Sequence, residues 1–157
     1  MKKLIAVIFG VLVFSGCAPI SYMGVPEGTP SEEYARIVTA PSIIRPPIIG
    51  MLYSIGMVCV DGEVFRYSTG EVSRISEAVV SKGVHHVKLR LDRGGSAMPI
   101  AYTTLWLDAQ PGHTYVAKFE VSRRQFRIWF EDEDSGEQVG GLIGSEPYIV
   151  ADEKRCV

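Results

Sequence analysis

The chain has 157 residues, of which 46% are hydrophobic and 22% charged, a balance that excludes a disordered protein and fits one globular domain with attachments. Sixteen Lys and Arg against eighteen Asp and Glu leave a net charge of −2, so there is no strongly basic surface and nucleic acid is not an expected partner. Sixteen Gly and nine Pro, set between short runs rich in Val, Ile, Tyr, Phe and Trp, predict many turns and little helix.

The chain opens with Met1-Lys2-Lys3, then eleven apolar or glycine residues from Leu4 to Phe14, then Ser15-Gly16-Cys17. That is the layout of a secretory signal. At ~1.5 Å per residue, eleven helical residues span roughly half of a ~30 Å hydrocarbon core, too little for a permanent span. Phe14-Ser15-Gly16-Cys17 resembles the lipobox of bacterial lipoproteins. The resemblance implies a signal peptide over 1–16, and a diacylglyceryl thioether and added acyl chain on Cys17, enough for stable anchoring. Ala18-Pro19 lacks the aspartate that retains such proteins at the inner membrane, which implies the outer membrane, facing the periplasm.

Residues 17–34 read as a flexible tether, because Ala18 to Glu33 carries three prolines, two glycines and two serines with no period of 3.6 or 2. Pro41 and Pro46-Pro47 interrupt the next apolar stretch, leaving Glu32 to Ala40 as at most a short strand or one helical turn. Ile48 to Val60 is apolar and β-branched, and Asp61-Gly62 is a two-residue hairpin turn before Val64 to Tyr67. Glu71 to Val80 is a further run, closed by Ser81-Lys82-Gly83.

From there the alternation is clean. His85, Val87, Leu89 and Leu91 oppose His86, Lys88, Arg90 and Asp92; Ala101, Thr103, Leu105 and Leu107 oppose Tyr102, Thr104 and Trp106. After Pro111-Gly112, Tyr115, Ala117, Phe119 and Val121 share a face, and Phe126, Ile128 and Phe130 alternate with Gln125, Arg127, Trp129 and Glu131. Six or more short strands with turns every eight to twelve residues predict an all-β, antiparallel β-sandwich over 35–157.

Lys82-Gly83-Val84-His85-His86-Val87 and Gln110-Pro111-Gly112-His113-Thr114-Tyr115-Val116 each read as glycine turn, histidine, strand. Over residues 58–139 this order is similar to that of PEGA-like and transthyretin-like β-sandwich modules, a resemblance that implies a surface or assembly module with no catalytic residues to transfer.

Candidate chemistry is sparse. His85 and His113 suggest a metal site at one end of the sandwich, against turn and strand-edge histidines satisfied by backbone or water; adjacent His85 and His86 face opposite ways and cannot chelate together. The acidic run Glu131 to Glu137 suggests a calcium loop, but Gly136 and Ile143 stand where an EF-hand needs ligands, which favours a solvated turn. There is no Gly-x-Ser-x-Gly, and of the cysteines one reads as lipidated and two as structural, so no enzyme is expected, and neither metal nor cofactor is expected from the histidines and acidic run.

Tyr102, Trp106, Arg127 and Trp129 form the candidate binding face, on the premise that their two strands share a sheet; the competing reading is that the proline-rich segment or the C-terminal tail covers it. Cys59 and Cys156, the pair left after Cys17, are expected to form a disulfide in an oxidising compartment, the alternatives being a small buried Cys59 and a free or intermolecularly paired Cys156. The expectation is a non-enzymatic, lipid-anchored envelope protein with a protein partner. A glycan binder with all three rings exposed, or a small hydrolase with a His–carboxylate dyad in a pocket, are the rivals.

Overall fold

A computed structural model describes residues 21–45, 51–66, 73–94, 99–122 and 125–145. The signal segment, Cys17 and Cys156 lie outside the described residues. The described strands are β1 (Ser21–Met23), β2 (Ala35–Thr39), β3 (Ile43–Arg45), β4 (Met51–Val60), β5 (Glu63–Val64), β6 (Glu77–Val80), β7 (Gly83–Arg93), β8 (Pro99–Ala109), β9 (Thr114–Ser122), β10 (Gln125–Asp132) and β11 (Gln138–Ser145). A 3₁₀ turn, Ser31–Glu33, precedes β2, and no described helix is long and apolar enough to cross a membrane.

Among the described residues the strands make two sheets, one ordered β1-β6-β2-β9-β10-β11 and the other β3-β4-β7-β8 with β5 on β4. The all-β expectation holds. Two ladders are parallel, β1 with β6 and β2 with β9, so the arrangement is not purely antiparallel. Parallel pairing needs a long crossover, and here the chain runs from β1 to β6 through β2 to β5 and from β2 to β9 through the strands of the second sheet, connections that local turn signals do not reveal.

The period-two pattern fixes which side of each strand is dry. Ile37, Ala78, Val80, Tyr115, Ala117, Phe119, Phe126, Ile128 and Phe130 from the first sheet join Ile55, Met57, Val60, Val87, Leu89, Leu91, Leu105 and Leu107 from the second in one buried cluster. The two inner faces therefore share a single core. The predicted hairpin is also present: Val60 pairs with Glu63, and Asp61 and Gly62 take φ of 48° and 89°, the left-handed pair that a tight type I′ turn requires.

The structured domain starts earlier than the tether reading allows. Ser21 and Tyr22 pair with Glu77 and Ala78, and the Tyr22 ring lies 5.2 Å from that of Phe65. Burial, with the carboxylates of Glu63 and Asp61 nearby, raises the Tyr22 pKa. Apolar contact and backbone pairing thus hold residues that composition alone assigns to a spacer.

The edge of each sheet meets the other where β11 passes β8. A Cβ on Gly140 would sit 3.2 Å from the Trp106 carbonyl oxygen and 3.9 Å from the Phe130 ring, so glycine permits this close backbone approach. Replacing Gly140 by Val is expected to cost about 1–3 kcal/mol through overpacking. Urea unfolding of the purified domain checks this, and a midpoint equal to wild type would show that the two edges are free to separate.

Candidate functional site

The four candidate face residues are split between the sheets. Tyr102 and Trp106 lie on β8 in the second, Arg127 and Trp129 on β10 in the first. The expectation of one shared sheet is wrong, because a period of two assigns the face of a strand but not the sheet it joins.

On β8 the two rings have opposite fates. Tyr102 is only 8% exposed, with Lys88 Nζ 5.6 Å and Arg90 Cζ 6.0 Å from its ring centroid. Trp106 is 66% exposed, the highest value among the large described apolar residues. Its cross-strand neighbour is His86, which is exposed, and Val84 two residues earlier on β7 is 58% exposed. Val139, beside Gly140 at the same corner, is exposed as well.

Trp129 is engaged by its own sheet. Arg127 Cζ lies 5.6 Å from its ring centroid, and Glu131 accepts hydrogen bonds from Lys118 and Trp129, which lower the Glu131 pKa, the Lys118 bond contributing most. Trp106 is therefore the most exposed of the three rings.

The outer face of the second sheet carries a charge network around the buried Asp92 at its other end. Asp92 accepts from Arg90 Nε at 2.8 Å and from Arg74 Nη1, which also donates to Ser54 Oγ at 3.2 Å. Arg74 lies over Gly56, where a Cβ would come within 3.0 Å of its own Cβ. Lys88 is 4% exposed and is the register partner of Cys59, 2% exposed. Cys59 is not a titrating thiol: it is disulfide-bonded, and neither other cysteine is among the described residues.

Two histidines brace turns. His85 Nδ1 is 2.5 Å from Asp61 Oδ2 and its Nε2 is 2.8 Å from the Ser81 carbonyl, while Asp61 Oδ1 accepts from the His86 amide at 2.7 Å. Both ring nitrogens thus meet oxygens, and the β4–β5 turn is tied to the start of β7. His113 Nδ1 is 2.6 Å from Asp132 Oδ2, and its ring stacks on Tyr115 at 6.0 Å.

Asp132 is also the centre of the acidic turn. Its Oδ1 accepts from the amides of Asp134 and Ser135 and from the Ser135 hydroxyl, and Gly136 follows at φ 71°. The backbone donor of Ser135 first, then His113, lower its pKa from 3.8 to about 2. With its oxygens committed to this turn, Asp132 is a poor cation ligand, and among the described residues no group of three or more His, Cys, Asp or Glu is placed to hold a metal ion.

His113 of this pair does border a cleft of about 350 Å³, shared with Ser31, Glu32, Tyr34, Arg36 and Thr114. Yet Ser31 Oγ donates to Glu32 at 3.3 Å, and Arg36 is held by Glu77 through two bonds of 3.0 and 2.8 Å. The hydroxyl of Ser31 is thus given to its neighbour rather than to the imidazole. No protein-family model, curated protein or solved structure matches this chain.

The depressed Asp132 pKa carries a pH dependence. A carboxyl whose folded pKa lies below its unfolded value stabilises the fold above about pH 4 and loses that contribution as pH falls toward about pH 2. Asp132→Asn should therefore be less stable than wild type at pH 7, with the gap closing between about pH 4 and pH 2. Thermal melts across that range measure it; a gap independent of pH would contradict the assignment.

Proposed function

We propose that this chain is a lipid-anchored, non-enzymatic protein of the bacterial cell envelope whose β-sandwich presents a binding surface to an envelope protein. Anchoring is supported by Phe14-Ser15-Gly16-Cys17 behind an eleven-residue apolar core, and an outer-membrane location facing the periplasm by Ala18-Pro19. The observation that carries the binding reading is the 66% exposure of Trp106 beside Val84 and Val139. An exposed tryptophan flanked by aliphatic side chains has the character of a protein-interface anchor, since burying it against a partner supplies most of its hydrophobic free energy at once.

Of the three rings a glycan binder would expose, Tyr102 is buried and Trp129 is taken up by Arg127 and Glu131. A single free tryptophan with valine neighbours suits protein side chains better than a run of sugar rings. The His113–Asp132 dyad is accounted for by the turn it braces, which supports the non-enzymatic reading.

Fatty-acid analogue labelling in cells should mark wild type and leave Cys17→Ser unmarked and released from the membrane. Wild-type protein soluble in the periplasm, with no acyl mass on its N-terminal peptide, would overturn the anchor. For the surface, Trp106→Ala should weaken capture of the envelope partner at least about tenfold, roughly 1.4 kcal/mol, while leaving the melting temperature of the domain within error. Undiminished capture by that variant would remove this corner as the binding site.

A further inference from the structure

The two sheets meet closely at one edge and leave a gap at the other. Where β11 passes β8 they approach through Gly140; at the far edge β1, the end strand of the first sheet, lies beside β5, which hangs on β4 of the second. Between them is a cleft of about 410 Å³, lined by Tyr22 and Met23 on one side, Glu63 and Phe65 on the other, and Ser73 and Ile75.

Ser73 is out of place there by the ordinary rules of burial. It is 1% exposed, and although its amide donates to the Phe65 carbonyl at 2.8 Å, its hydroxyl is the one buried side-chain polar atom among the described residues with no hydrogen-bond partner. An unpaired buried hydroxyl costs free energy that an alanine in the same place would not, so the group calls for a reason.

The rest of the lining says what kind of partner suits it. The Tyr22 and Phe65 rings, 5.2 Å apart, form one aromatic wall, and the Tyr22 hydroxyl donates to the exposed Glu63 carboxylate. Burial first, then the charges of Glu63 and Asp61, raise the Tyr22 pKa, so carboxylates set the field at this hydroxyl although Arg66 also lines the cleft. Aromatic faces and carboxylates both attract a cation, and a serine hydroxyl has lone pairs to accept an N–H.

We propose that this cleft binds a primary ammonium group carried on an alkyl chain, the ammonium donating to Ser73 Oγ in the field of Glu63 and the chain lying against Phe65, Ile75 and Met23. One N–H gives Ser73 the partner it lacks, while the ring faces and the carboxylate offset the charge. A trimethylammonium has the charge without the donor, and an alcohol has the donor without the charge, so the two features together select the primary ammonium. This site is independent of the Trp106 corner, which lies at the opposite edge of the sheets.

Methyl NMR of Met23 and Ile75 in the full chain, titrated with pentylammonium chloride at neutral pH in detergent, reads the binding directly. Both signals should shift saturably with a dissociation constant of about 1 mM, weakened at least about fivefold in Ser73→Ala and in Glu63→Gln. Pentyltrimethylammonium and pentanol should each bind wild type at least about tenfold more weakly than pentylammonium. Ser73→Ala, relieved of its unpaired hydroxyl, should melt no lower than wild type without ligand, which separates lost binding from lost fold; Glu63→Gln, at an exposed position, keeps the comparison if that variant fails to fold. Tighter binding of a capped lysine peptide than of pentylammonium would assign the group to a protein side chain, and the reverse order to a free amine. Shifts that never saturate, equal binding of the three probes, or wild-type affinity in both variants would overturn the site.

Discussion

The structure depends on one constraint: alternate residues of both sheets must be buried in the same core. Leu89, Leu91 and Leu107 from one sheet and Ile128, Phe130 and Ile37 from the other are fully or almost fully excluded from water within one cluster. Burial of this kind is the dominant favourable term in folding, and it commits half the side chains of every long strand. Whatever the protein does must be done by the other half, on the outer faces and at the turns. That is why the difference between Tyr102 and Trp106, four residues apart on one strand and on the same side of it, carries so much of the functional reading.

The turns are held by one repeated chemical device. In each of two places an aspartate in a turn offers one carboxylate oxygen to a histidine ring and the other to backbone amides. Asp61 joins the β4–β5 hairpin to His85 and the His86 amide; Asp132 joins the β10–β11 turn to His113, Asp134 and Ser135. Charge-assisted bonds of this type are stronger than neutral ones, and they fix the strand ends without adding to the core. The same bonds give each histidine–carboxylate pair a structural role: the carboxylate's second oxygen is occupied by the turn that it shapes.

Much of the fold was legible from the sequence. The faces of β7, β8, β9 and β10 follow from strict alternation between residues 85 and 131, and the Asp61-Gly62 turn from its dipeptide. Three things were not legible, each for a physical reason. Alternation says nothing of which strands pair, so Tyr102 and Trp106 could not be separated from Arg127 and Trp129. β1 is three residues long and is paired in parallel with a strand more than fifty positions away, a contact with no local signature. β11 contains three glycines, a residue of low strand propensity, and one of them, Gly140, sits where β8 passes close by. Of the candidate site, Trp106 was named from its outward position, whereas the cover over Tyr102 and the engagement of Trp129 needed three dimensions.

The central claim is that the Trp106 corner is bare in the isolated protein and occupied in the envelope, while Tyr102 is shielded in both. Hydroxyl-radical footprinting of the purified acylated protein and of the same protein in intact envelopes measures this directly. The account predicts that Trp106 oxidation falls at least about fivefold in the envelope and that Tyr102 stays slow in both samples. Equal Trp106 oxidation in the two samples would contradict it.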